Sequence, residues 1–162
     1  MNNNMTVIFS PTDPVSDPLP DISQLAQEFQ ASDWSISEAF MCLILSAAYA
    51  DHELAEEEKQ EIAALVRRSR TMKRHSQAEL AAINQTVNKR MRERDNALQE
   101  ACHALPHDMR ISLFAHCVDI VLADGKLLPQ EAAFLNTITE LMGLDAARAK
   151  EVMTVIMHKN RY

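Results

Sequence analysis

Two stretches of this chain, ADHELAEEE at 50–58 and ADGKLLPQE at 123–131, repeat one another in a way that restricts the fold. Ala50, Asp51, Leu54 and Glu58 correspond to Ala123, Asp124, Leu127 and Glu131 at one common interval. Each stretch follows a long apolar run at helical spacing and precedes an amphipathic one. The first run holds Phe40, Leu43, Ile44, Ala47 and Ala48; the second holds Ile111, Phe114, Ala115, Val118 and Leu122. Like residues at like places in two helix pairs argue for an internal duplication.

Helix starts and stops punctuate the rest of the chain. Residues 1–20, with Pro11, Pro14, Pro18 and Pro20 among Asp and Ser, read as a flexible tail, because proline blocks helix and little there can be buried. Residues 21–162 read as one helical domain. A helix is expected from Asp21 to about Ala31, and the next is capped by Ser35 or Ser37. Another opens near Ala55, with Glu56, Glu57 and Glu58 at its positive end and Arg67, Arg68, Arg70, Lys73 and Arg74 toward its negative one. Ser76 and Glu79 form a capping box ahead of Leu80, Ile83, Val87 and Met91. Asp95 is expected to cap a short helix, Pro106 and Pro129 to open two more, and Asp145 to cap the last, while Gly125 and Gly143 mark helix ends. Only 2 glycines and 5% aromatics leave little from which to build sheets. The expectation is an all-α, compact single-domain array of about seven or eight helices with two pseudo-repeated helix pairs.

The formal net charge of −7 disfavours phosphate backbones and anionic lipid, so nucleic acid is not an expected partner. Cys42, Cys102 and Cys117 lie in apolar helical patterns, and an odd count makes no disulfide framework, which points to reduced thiols and the cytoplasm. No run is apolar for long enough to insert directly into a membrane, and MNNNMTVIFSP lacks the basic start of a signal peptide.

LADGKLLPQEAAFL, with DIVLADG ahead of it, and AYADHELAEEEKQEI resemble the Asp-Gly-x-hydrophobic-x-x-x-Glu signature of the TerB-like tellurite-resistance family. The resemblance spans roughly residues 35–157. It implies two related helical halves with their acidic residues on one side. It also implies a role in cation binding and a protein partner in a membrane-linked stress complex. Carried over by position, the implied metal ligands are Asp51, Glu58, Asp124 and Glu131, with Asp119 as a neighbour. His52 stands where the signature has glycine, and Ala55 and Leu128 stand where it has Ser or Thr.

Physical chemistry offers two readings of these acids. Asp51 and Asp124 at helix C-termini face unpaired carbonyls, so each needs a cation or an amide donor, and an Asx-type turn supplies the latter. Glu58 and Glu131 at third helical positions can hydrogen-bond back to the amide at the helix start. Four carboxylates drawn together by the duplication would instead need cations, protons or open water between them. Oxygen ligands suit Ca²⁺ or Mg²⁺, and Zn²⁺ less. An EF-hand is excluded, because Ile120 and Leu122, like Ala47 and Tyr49 in the first copy, occupy positions that require oxygen ligands. Asp119, within an apolar run, needs a salt bridge or hydrogen bond to another helix if it is not a ligand.

Cys102, His103, His107, His116 and Cys117 lack paired zinc-ligand spacing and read as packing or surface residues. Met142, Met153 and Met157 could form an adaptable partner groove, but read more simply as core. The functional expectation is a non-enzymatic stress-response protein whose acidic patch binds a divalent cation. The alternative is a metal-free interaction scaffold whose acidic patch meets a basic partner.

Overall fold

The computed structural model describes residues 32–52 and 54–162, so the expected tail and the helix over 21–31 lie outside the described residues. Seven helices, and no strand, form among the described residues: α1 (Ile36–Ala48), α2 (Glu56–Arg68), α3 (Gln77–Glu93), α4 (Ala97–Ala104), α5 (His107–Val121), α6 (Pro129–Leu141) and α7 (Ala146–Lys159). The fold is all-helical, as the residue pattern predicts.

Its centre is the pair α1 and α5, the two apolar helices that precede the repeated junctions. α1 packs on α3, α4 and α5, and α5 also receives α2, α6 and α7. Phe40, Leu43, Ile44, Ala47 and Ala48 are buried along α1; Phe114, Val118 and Leu122 are buried on or beside α5, with Ile111 and Ala115 partly so. Outer helices contribute one stripe each, such as Leu65, Val87, and Ala149 with Ile156. Two central helices therefore fix where both junctions emerge.

Capping follows side-chain chemistry closely. Ser35, not Ser37, caps α1 in a reciprocal box: Glu38 N–H donates to Ser35 Oγ at 3.1 Å and Ser35 N–H to Glu38 Oε2 at 2.9 Å. Ser76 and Glu79 repeat that box on α3, at 3.2 and 2.7 Å. Two expected starts shift by one residue. Asn96, not Asp95, is the N-cap of α4, because Ala97 N–H bonds Arg94 C=O at 3.3 Å and closes a turn across Asp95. Pro106 is the N-cap of α5, offering its carbonyl to Met109 N–H at 3.0 Å while the helix begins at His107. Asp145 holds the cap position of α7 without a side-chain capping bond.

Trp34, 5% exposed, anchors the segment ahead of α1. Its Nε1–H donates to Glu100 Oε2 at 2.8 Å, and the Arg90 guanidinium lies 4.8 Å from its ring centroid. Arg94 bridges Glu100 (2.8 Å) to Asp33 (2.7 Å), and Arg90 pairs with Glu38 at 2.9 Å. The charged end of α3 is thus a clamp on the N-terminal segment of the described residues.

All three cysteines are free and buried. Burial pushes the Cys42 thiol up to about 11 and Cys102 to about 12, and drives Cys117 higher still. They are protonated, poorly nucleophilic core residues at neutral pH.

The two junctions are built alike. Tyr49 N–H donates to Leu45 C=O and Leu122 N–H to Val118 C=O; His52 N–H donates to Tyr49 C=O and Gly125 N–H to Leu122 C=O, each pair at matching positions. His52 adopts φ 70 and Gly125 φ 78, so the histidine accepts the left-handed conformation that glycine adopts freely. A Cβ on Gly125 would meet nothing within 4 Å, so Gly125→Ala costs only backbone strain. The expected loss is about 1–2 kcal/mol, with His52→Gly neutral to mildly stabilising, both read from urea denaturation midpoints. Equal losses for the two substitutions would contradict this account of the junctions.

Candidate functional site

Glu58 and Glu131 are the two buried charged side chains among the described residues, 4% and 3% exposed. Both occupy the third position of a helix that starts without a capping hydroxyl. Each supplies the missing acceptor itself. Glu58 Oε2 accepts from Ala55 N–H at 2.8 Å, and Glu131 Oε2 accepts from Leu128 N–H at 2.7 Å. This is the glutamate half of a capping box, made twice, and it explains why the helices tolerate Ala55 and Leu128 at their caps.

Capping does not account for the whole electrostatic setting. Burial holds the Glu58 carboxyl above its ordinary range; its bond from Ala55 N–H opposes that, and the charges of Asp51, Glu131 and Asp124 push it up further. Burial likewise raises Glu131, opposed by Leu128 N–H and reinforced by Asp124 and Asp51. Each glutamate therefore feels aspartates from both junctions. Carboxylates of the two junctions thus repel one another even though they are far apart in sequence.

The aspartates play different parts. Asp124 is exposed, and its Oδ1 accepts from Lys126 N–H at 2.9 Å in an Asx turn. Asp51 is half-buried at the equivalent turn. Asp119 lies one turn back on α5 and pairs with Lys159 at the end of α7. Its charge is thereby met from another helix. A cavity of about 660 Å³ runs beside the second junction, lined by Glu57, Glu61, Asp119 and Asp124, with Lys159 at its edge.

The donor chemistry fits a hard divalent cation, since every candidate group offers carboxylate oxygen. Among the described residues, no group of three or more His, Cys, Asp or Glu side chains is arranged to hold a metal ion directly. An ion held there would have to keep much of its water, as Mg²⁺ does where one or two carboxylates and its own hydration shell hold it. Cys102 and Cys117, by contrast, are core thiols.

Burial of Glu58 and Glu131 is not readable from their acidic sequence context. The Trp34–Glu100–Arg94 clamp also escapes a linear reading. Its members are spread from α4 to the segment before α1, and only the indole, an apolar ring with one donor, signals a need for a partner.

Residues 37–154 match the family described as tellurite resistance protein TerB. Comparison with curated proteins and with solved structures gave no match.

Proposed function

The chain belongs to the TerB family, and on that premise we propose that it is a non-enzymatic stress-response protein whose paired acidic junctions bind a hydrated divalent cation, Mg²⁺ or Ca²⁺. The observation that carries this reading is the pair of buried carboxylates, Glu58 and Glu131, each raised first by burial and then further by the aspartates of both junctions. Such a cluster is stabilised by a cation that offsets its repulsion. Asp51 and Asp124 are the groups that would hold the ion from outside, with Glu58 and Glu131 supplying charge beneath. Asp119 contributes less, because Lys159 already neutralises it. The buried, protonated thiols support a role without thiolate nucleophiles and suit a reducing cytoplasm.

Thermal melting and calorimetric titration with Mg²⁺, Ca²⁺ and Zn²⁺ test the proposal. The natural chain should melt at higher temperature in millimolar Mg²⁺ or Ca²⁺, because an ion bound by the folded state alone stabilises it by about RT ln(1 + [L]/Kd). Asp51→Asn combined with Asp124→Asn should abolish both heat and shift. An equal shift in that variant would defeat the cation reading.

A second reading rests on the exposed apolar residues beside the second junction. Leu127, Leu128 and Met157 are 39%, 37% and 41% exposed, so Met157 is not a core residue, and Leu127 and Met157 line one small cavity with Gly125, the neighbour of Asp124. Acidic and apolar groups side by side suit a basic, amphipathic protein partner, such as a subunit of a membrane-linked complex. No described helix is long and apolar enough to cross a membrane, so such a link would run through the partner. This reading predicts binding that survives chelation of divalent ions.

A further inference from the structure

A different cavity, of about 570 Å³, opens on the far side of the Lys159–Asp119 pair, between α1, the end of α2 with its following turn, and α5. We propose that it is a binding site for a small amphipathic organic anion, an acidic head group on an apolar body. Its volume lies within the range of about 300–1,000 Å³ typical of small-molecule sites.

The floor is apolar: Phe40, Leu65 and Leu113 line it and are buried at 4%, 3% and 1% exposure. His116 forms part of the wall, its ring tilted 55° to Phe40 with centroids 6.0 Å apart. Burial keeps this imidazole below its ordinary value, so at neutral pH it offers one uncharged donor or acceptor beside the aromatic ring. Together these groups suit the body of a ligand.

The rim suits its head. Arg70 lines the cavity, and its guanidinium has no hydrogen bond or ion pair among the described residues. Arg68 is held only loosely, 3.4 Å from Glu61 with 70% of its side chain exposed. Two acids also line the cavity, and neither cancels these arginines. Asp119 is spent on Lys159, and Asp108 lies in the first turn of α5, where the helix dipole offsets part of its charge. An unpaired guanidinium over an apolar floor selects a carboxylate, sulfonate or phosphate, because its fork of donors matches planar oxygen pairs. The sign is notable in a chain of net charge −7. The Lys159–Asp119 pair lines both this cavity and the acidic one at the second junction.

Anilinonaphthalene sulfonate, an aromatic body with one sulfonate, is the first probe. With the full chain in chelator, fluorescence titration should show saturable binding that octanoate or hexyl phosphate displaces and octanol does not. Preference for octanoate or for hexyl phosphate would distinguish a carboxylate from a phosphate ligand, either of which supports the site. Arg70→Glu should weaken binding at least about tenfold, whereas Arg92→Glu, an exposed arginine outside the cavity, should not. Ser112→Trp, which places a ring in the cavity from an exposed position, should remove binding without lowering the melting temperature. Absence of saturable binding overturns the proposal, as does displacement by octanol equal to that by octanoate. Retained affinity in folded Arg70→Glu or Ser112→Trp overturns it as well. Because the titration is done in chelator, its result is independent of whether the junctions bind a cation.

Discussion

Trp34→Ala is expected to lower the free energy of unfolding by about 3–5 kcal/mol, the range for truncating a buried aromatic residue. The reason is that three different interactions end on one side chain. Its ring is 5% exposed, its Nε1–H donates to Glu100 at 2.8 Å, and Arg90 lies over its face at 4.8 Å. Removing the indole leaves Glu100 with Arg94 alone and leaves Arg90 without its aromatic support. Trp34→Phe separates these contributions in part, since it keeps a buried aromatic ring but loses the donor together with the pyrrole atoms. It should cost about 1.5–3 kcal/mol, as for a hydrogen bond to a charged group. The Glu100 carboxyl, held low first by Trp34 and then by Arg94, should also titrate higher in that variant. Trp34 is the one tryptophan of the chain, so urea unfolding of both variants must be followed by circular dichroism. A loss below about 1 kcal/mol for the alanine variant would show that the segment ahead of α1 is not clamped to α3 and α4.

Much of this fold was legible in linear sequence because helices are local. The capping box at Ser76 joins residues three apart, the cap of α1 is narrowed to Ser35 or Ser37, and Gly125 and Gly143 declare their left-handed turns by being glycine. The one-residue shifts at Asp95 and Pro106 are local too: a turn closes across Asp95, and Pro106 as the N-cap gives its carbonyl to the first bond of α5. The four junction acids align in the sequence because the two junctions repeat one pattern. Their differing roles were not legible there. Burial of Glu58 and Glu131 depends on how α1 and α5 pack, and the pairing of Asp119 with Lys159 depends on where α7 ends. The basic run from Arg67 to Arg74 read simply as helix-end chemistry. Only the fold places Arg70 over a cavity floored by Phe40 and Leu113.

Glu58→Ala combined with Glu131→Ala should destabilise the protein by about 1–3 kcal/mol per site, because each leaves the amide of Ala55 or Leu128 without its acceptor. Glutamine at both positions retains an acceptor and removes the charge, so it should cost much less, and comparison of the two doubles separates capping from repulsion. The pH dependence then supplies a sign. Both carboxyls are raised above their ordinary value of 4.5, so the folded state binds protons more readily than the unfolded chain. Their contribution to stability is complete below pH 4.5 and is lost as pH rises through the elevated folded values. Asp33, Glu79 and Glu100 are lowered instead; their contribution is present above their unfolded values and is lost as pH falls through the folded ones. Raw stability curves mix the two trends. Subtracting the glutamine double from the natural chain isolates the buried pair, and that difference should decline from pH 4.5 toward neutrality. Mg²⁺ or Ca²⁺ should flatten the decline, because a cation offsets the same repulsion that protonation relieves. A difference curve that is flat without ions would show that the two glutamates are caps and nothing more. A decline that persists unchanged in millimolar Mg²⁺ and Ca²⁺ would retain the repulsion and remove the ion.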